Sequence, residues 1–244
     1  ASTQYKITDI YQPINFISDK LEYDLIQKKS IEVILEICNK NPTGEILLFS
    51  IGTKEILDLT KQLNQILPIT DIALPYFSAL HHKYKFIIEK IDKQIINIKN
   101  TKDRIHLDWG SEYKQDMSVA KGLYKRAIII ATNVAEASVT IPRLKFVVDN
   151  GYAKVNRYNS ELNTSQLIIE KISESSRVQR RGRAGRLSDG FVTYLYEKGA
   201  REKIKPKYKI NQEDNHMLIN KLLRNGYDKA ENINLELESE SQIL

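Results

Sequence analysis

Residues 127–131 read Ala127-Ile128-Ile129-Ile130-Ala131, five apolar residues followed at once by the polar pair Thr132-Asn133. A run this short, rich in Ile and closed by polar residues, is the pattern of a strand covered on both faces of a sheet. Two other runs have the same character: Ile46-Leu47-Leu48-Phe49 upstream and Phe146-Val147-Val148 downstream. Helical periodicity lies between them. From Ser30 to Lys40, Ile31, Ile34, Leu35 and Cys38 fall on one face; from Thr53 to Gln65, Ile56, Leu59 and Leu63 do the same, with Ile66 continuing the stripe. Strands alternating with helices predict an α/β fold, a mostly parallel sheet flanked by helices. Ligands of such sheets sit beyond the carboxyl ends of the strands. Function is therefore expected in the segments after Phe49, Ala131 and Val148.

The 244-residue chain is long enough for one large domain or two small ones. Its 41% hydrophobic and 28% charged residues exclude a disordered or collagen-like polymer. No run of 18 apolar residues occurs, so no transmembrane helix is expected. The first residues lack the basic-then-apolar pattern of a secretory signal. A single cysteine, Cys38, excludes an internal disulfide and a multi-cysteine zinc site, and fits a reducing, intracellular setting (cytoplasm, nucleus or virion). The net charge of +6 permits a polyanionic partner without establishing one. Residues 92–122 break the α/β rhythm: they are polar, hold the only tryptophan, Trp109, and alternate briefly at Gln94-Ile95-Ile96-Asn97-Ile98. They read as an insertion that could carry a small hairpin. Asn211 to Asn225 predicts a helix with Met217, Leu218 and Leu222 on one side. Residues 231–244 contain four glutamates and no Lys or Arg, an acidic tail.

The strongest chemical signal is Ser173-Glu174-Ser175-Ser176-Arg177-Val178-Gln179-Arg180-Arg181-Gly182-Arg183-Ala184-Gly185-Arg186. With Ser176 as a helix cap, Arg183 and Arg186 are expected three apart on one helical face, with Gln179 a turn earlier on roughly the same side. Gly182 and Gly185 are poor helix formers and fit a place where a backbone or ligand approaches closely. Two guanidinium forks and an amide converging on one point suit a phosphate with developing charge. The competing reading is a solvated basic helix or a nuclear-import patch. Arginine rather than lysine at every basic position, interleaved with glycine, weighs against it.

Gln179-Arg180-Arg181-Gly182-Arg183-Ala184-Gly185-Arg186 resembles motif VI of superfamily 2 helicases in its DEAH/DExH-box form, QRxGRxGR. Other motifs follow in family order. Residues 46–56 resemble motif IV, Leu74-Pro75-Tyr76-Phe77-Ser78-Ala79-Leu80 resembles motif IVa, and Ala131-Thr132-Asn133-Val134-Ala135-Glu136-Ala137-Ser138-Val139-Thr140-Ile141-Pro142 resembles motif V. Val148-Asp149-Asn150-Gly151-Tyr152-Ala153-Lys154 resembles the segment after motif V. The likeness spans roughly residues 5–225. The phosphate loop and acidic box of the family's first RecA-like domain are not in this sequence. The resemblance therefore implies a second RecA-like domain over residues 1–205, cut from a longer protein. It places a β-hairpin at 151–172 that in relatives projects toward nucleic acid, and the start of a winged-helix segment and the acidic tail at 206–244. Tyr5 to Tyr11 is similar to the stretch that enters this domain from the first.

The resemblance also implies roles. Arg183 and Arg186 are expected as arginine fingers on the γ-phosphate of ATP, with Gln179 placing the attacking water. Ser138 is expected at the nucleotide, as is Phe86 as a base-stacking aromatic. Ser78, Thr132, Asn133 and Thr140 are expected on the backbone of single-stranded RNA. Motif V departs from the family at Ala137, where Thr is usual, and so lacks one hydroxyl. Arg181 stands where many relatives have a small residue, a feature shared with the viral DExH branch; it is left between a site role and a surface one, and Arg177 is expected to support the same basic face. ATP and Mg²⁺ would be bound mainly by the first RecA-like domain, which is also an expected partner, and no metal is expected in this chain. His81 and His82 read as polar surface. The function implied is the C-terminal motor domain of an ATP-dependent RNA helicase, inactive when isolated. A non-catalytic nucleic-acid-binding module and a DNA-directed superfamily 2 helicase stand as alternatives.

Overall fold

The fold comes from a computed structural model, which describes residues 5–16, 22–68, 70–89, 105–106, 118–119, 125–137, 140–159, 164–204 and 224. In chain order the elements are β1 (Ile7–Tyr11), α1 (Tyr23–Lys40), β2 (Glu45–Phe49), α2 (Thr53–Ile66), β3 (Asp71–Tyr76) and α3 (His82–Glu89). A short antiparallel pair follows, β4 (Ile105–His106) with β5 (Ser118–Val119). Then come β6 (Arg126–Ala131), a 3-10 turn (Asn133–Glu136), β7 (Leu144–Asp149), β8 (Tyr152–Asn159), β9 (Thr164–Lys171), α4 (Glu174–Arg181) and β10 (Gly190–Tyr194).

Six strands form one parallel sheet in the order β1-β10-β7-β2-β6-β3. The three apolar runs become β7, β2 and β6, neighbours inside the sheet, where both faces are covered; every residue of β2 and β6 is buried. β3 closes one edge, the position where a strand tolerates Pro75. β1, at the other edge, is only half covered. α2 begins at Thr53 as its periodicity predicts, but Ile66 ends exposed at its last turn. α1 starts seven residues before Ser30. Ser30 lies inside it, its Oγ donating to the Ile26 carbonyl (2.7 Å), and the fully buried stripe is Ile26, Ser30, Val33 and Ile34 in place of one through Leu35. A hydroxyl that bonds back along its own helix can be buried at little cost, which the periodicity could not reveal.

Register aligns the carboxyl ends. Tyr11 pairs with Tyr194, Tyr194 with Asp149, Asp149 with Phe49, Phe49 with Ala131, and Ala131 with Tyr76, one row across all six strands. The connections out of β2 and β7 leave in opposite directions, β2 toward β3 and β7 toward β10. The Phe49–Asp149 pair is thus the point where the topology switches. At the amino edge, Glu45 is buried and accepts from the Ala127 N–H and the Arg143 guanidinium. Burial pushes its carboxyl above the usual range, against the pull of those donors.

β8 and β9 form an antiparallel hairpin from Tyr152↔Lys171 to Asn159↔Thr164, where the sequence places one. Arg157 donates twice to Glu170 across it (2.6 and 2.7 Å). Leu167 and Ile168 on β9 are exposed. The bend at 160–163, most of 92–122, the helix expected over Asn211–Asn225 and the acidic tail lie outside the described residues, apart from β4, β5 and Arg224.

Candidate functional site

α4 lies over the carboxyl row, and the sequence supplies its own cap. That cap is Ser173 and not Ser176: the Ser173 side chain accepts from the Ser176 N–H (3.3 Å), satisfying one donor of the first turn. Arg177, Arg180 and Arg181, spaced three and one, turn toward the sheet. Arg180 is fully buried. Its Nε donates to Glu136 Oε1 (2.7 Å), its Nη1 to Asp149 Oδ1 (2.7 Å) and its Nη2 to the Tyr152 carbonyl (3.3 Å). Its guanidinium lies 4.7 Å from the Phe49 ring centroid. Burial works against that charge, yet Asp149 and Glu136 outweigh it and hold the guanidinium above its ordinary pKa. The topological switch point is therefore filled by an arginine of the chain itself.

The flanking arginines are anchored too. Arg177 grips Glu174 through two bonds (2.7 and 2.6 Å) and donates to the Tyr194 hydroxyl (3.1 Å). Tyr194 in turn donates to Asp9 (3.0 Å), and Arg181 Nε reaches the same carboxylate (2.9 Å). Arg181 is thus neither idle surface nor part of an open basic face, and Arg177 supports α4 itself. Burial, and then Asp9, push the Tyr194 hydroxyl up, so it stays a donor.

α4 ends at Arg181, with Gly182 as its C-cap. Arg183 and Arg186 consequently do not share a helical face, contrary to the spacing argument. Two glycines interrupt the helix, and Gly185 adopts φ +69, where an L side chain is strained. A Cβ there would also lie 2.6 Å from Ile7 Cγ1, so the turn packs directly on β1. This irregular turn nevertheless brings the two side chains into one electrostatic neighbourhood. Burial, and then the charge of Arg186, push the Arg183 guanidinium below its ordinary pKa, while Glu136 pulls it back. Arg183 is buried; Arg186 is exposed and its Nε donates to the Gly182 carbonyl (3.2 Å). Gln179 is exposed on α4.

The other expected residues separate into groups. Thr132 follows β6, is half-buried, and caps the 3-10 turn by accepting from the Val134 N–H (3.4 Å). Its own N–H donates to the Tyr76 carbonyl (3.3 Å), which ties it to the end of β3. Asn133 is exposed beside it. Ser78, also exposed, follows β3, and its carbonyl accepts from Lys85 Nζ (2.5 Å). These three occupy the β3–β6 half of the carboxyl edge, and the arginines the β7–β10 half. Thr140 is exposed just before β7. Phe86 is 53% exposed on α3. Ser138 lies outside the described residues. His81 and His82 are both exposed with ring centroids 4.2 Å apart. Among the described residues no three His, Cys, Asp or Glu side chains converge where a metal ion could sit.

Sequence reasoning passed over Glu136, Asp149, Tyr196 and Arg201. Asp149 accepts from the Gly151 N–H (2.9 Å) and the Tyr196 hydroxyl (2.8 Å) as well as from Arg180. Arg201 lies 4.2 Å over the Tyr196 ring and donates to the Gly151 carbonyl (3.1 Å), fixing the base of the hairpin. The one available signal was an acid closing an apolar run, Asp149 after Val147-Val148: a buried carboxylate requires a buried cation.

The helicase conserved C-terminal domain family matches residues 80–188. A putative ATP-dependent RNA helicase, R366 of Acanthamoeba polyphaga mimivirus, is 40% identical over 86% of this chain, and the match covers 12% of that protein. The ATP-dependent RNA helicase HrpA of Escherichia coli is 32% identical over 79% of this chain and 12% of its own length. The chain thus spans a small part of the relatives it matches. The crystal structure of the E. coli DExH-box NTPase HrpB superposes with a TM-score of 0.68 at 24% identity, over 92% of this chain and 24% of that one. That likeness gives the six-stranded parallel sheet its class, the RecA-like fold. With motifs IV to VI set along one edge of that sheet, the chain belongs to the helicase conserved C-terminal domain family, in its DExH/DEAH-box branch.

Proposed function

We propose that the chain is the second RecA-like motor domain of a longer ATP-dependent RNA helicase, and that Arg183 and Arg186 are its arginine fingers. The observation that carries this is the division of labour within one segment. Arg177, Arg180 and Arg181 are ion-paired with acids of the chain on α4, and Arg183 and Arg186 follow on the irregular turn beyond it, where the charge of Arg186 reaches buried Arg183. Burial and the charge of Arg186 together disfavour the Arg183 cation, an environment that a bound anion would relieve.

Phosphoryl transfer to water needs positioning and neutralisation of the charge that gathers on the transferred group. In this reading Arg183, held by burial and by its backbone bond to Arg180 (3.1 Å), meets the γ-phosphate from across the cleft to the first domain. Arg186 closes from solvent and Gln179 orients the attacking water. Ser138 and Phe86 contact the nucleotide. Magnesium bound with ATP would supply charge neutralisation on the phosphates. The acids at this edge, Glu136 and Asp149, are engaged with Arg180, which supports a first domain that would hold the ion. Ser78, Thr132, Asn133 and Thr140 hold the backbone of single-stranded RNA, which fixes position without reading sequence.

The test is Arg186→Ala in the longer protein. Turnover should fall by about 10³–10⁵, the range of an arginine finger, while RNA affinity changes little. Arg183→Ala should follow it. Near-normal turnover with lost RNA affinity would make these arginines nucleic-acid ligands and favour a module that only binds. Stimulation by DNA in place of RNA would favour a DNA-directed motor.

A further inference from the structure

We propose that Glu136 is a positioning residue that couples the RNA-facing turn after β6 to the arginine pair after α4; this rests on the function proposed above. One carboxylate oxygen, Glu136 Oε1, accepts from Ser176 Oγ (2.6 Å) and from Arg180 Nε (2.7 Å). Its partners are 40 and 44 residues away in sequence. Ser176 and Arg180 are four apart, one helical turn, so Glu136 holds α4 at two points along its length and sets its angle over the sheet.

Glu136 is also the last residue of a four-residue 3-10 turn that begins at Asn133. Thr132 caps that turn and is itself tied to the end of β3, while Ala135 is buried in the core. An element so short and so pinned has little freedom to bend. A backbone phosphate that displaces Thr132 or Asn133 therefore displaces Glu136.

From Glu136 the path to the arginines is short. The Arg183 N–H donates to the Arg180 carbonyl (3.1 Å), so a shift of Arg180 carries Arg183 with it. The Glu136 charge also acts on Arg183 directly, offsetting the repulsion from Arg186. Asp149 holds Arg180 independently from beneath (2.7 Å), so loss of Glu136 re-angles α4 without releasing it. Glu136 thereby governs where the fingers stand, and Asp149 governs whether α4 stays docked.

The experiment uses the longer protein with Glu136→Gln and, separately, Ser176→Ala. NTP hydrolysis is measured with and without single-stranded homopolymer RNA, alongside RNA affinity and melting temperature. The ratio of RNA-stimulated to RNA-free hydrolysis should fall about tenfold for Glu136→Gln, within the usual size of a coupling between sites. Ser176→Ala should lower the same ratio by a smaller factor, with RNA affinity retained in both. A ratio that does not change, or both rates falling together, makes Glu136 a structural support and overturns the proposal. Should Glu136→Gln fail to fold, Ser176→Ala, which leaves every charge in place, decides by the same ratio. A wild-type protein that RNA does not stimulate refutes the proposed function and this inference with it; a stimulated wild type with an unchanged variant ratio refutes the inference alone.

Discussion

Replacing Arg180 by methionine isolates the energetics of the buried hub. Methionine keeps most of the apolar stem beside Phe49 and deletes the guanidinium. Two charge-assisted bonds of 2.7 Å disappear, one to Glu136 and one to Asp149. Glu136 retains the Ser176 hydroxyl and some solvent, but Asp149 is fully buried and, among the described residues, retains the Gly151 N–H and the Tyr196 hydroxyl. Breaking a buried pair by removing one partner costs about 3–5 kcal/mol. The two surviving donors on Asp149 favour the lower end, about 3 kcal/mol, since each hydrogen bond to a charge is worth about 1.5–3 kcal/mol. For a chain of this size that lowers Tm by about 6–12 °C. Urea titration followed by circular dichroism, with calorimetry for Tm, measures the loss. Adding Asp149→Asn removes the stranded charge, so the double variant should be less destabilised than the sum of the singles by about 1–3 kcal/mol. A single-variant cost under about 1 kcal/mol, or strict additivity, would show that the pair does not hold α4.

Two further outcomes are expected. Burial pushes the Cys38 thiol up to about 11 from an ordinary 9.0, so iodoacetamide at pH 8 should label the folded chain about 100-fold more slowly than the urea-unfolded one. Because the folded state keeps this proton and the unfolded state loses it first, the associated stability is intact below about 9 and is lost as pH rises toward about 11; equal labelling rates would contradict the burial. For RNA, log affinity of the chain should fall with log salt at about −0.7 per phosphate, so roughly two to four backbone contacts give a slope of about −1.4 to −2.8. Strong preference among homopolymers, or indifference to salt, would place the binding surface elsewhere than Ser78, Thr132 and Asn133.

The inner sheet was legible because β2, β6 and β7 are covered on both faces and so lack polar interruptions. β3 and β10 were not named as strands. Pro75 argues against a strand unless its edge position is known, and Gly190 opens β10 straight after a turn-rich segment. The arginine segment stands out in the sequence, but helical periodicity does not extend through Gly182 and Gly185, where the backbone leaves the helix. Glu136 was invisible as a hub for a simpler reason. Its partners come from a helix 40 residues on, and nothing local records that contact.

In a genetic screen scored by growth alone, the five arginines between 177 and 186 would look identical. The fold separates them. Losing Arg180 strands the buried Asp149, losing Arg177 or Arg181 removes a partner of the half-exposed Glu174 or Asp9, and a loss of even about 1–2 kcal/mol can change cellular abundance several-fold. Losing Arg186, exposed on its turn with its Nε on the Gly182 carbonyl, leaves the bonds of Glu174, Glu136, Asp149 and Asp9 to the other arginines in place. Protein level would therefore sort the alleles into those that fail to accumulate and those that accumulate, a distinction drawn by which side of Gly182 the arginine falls on.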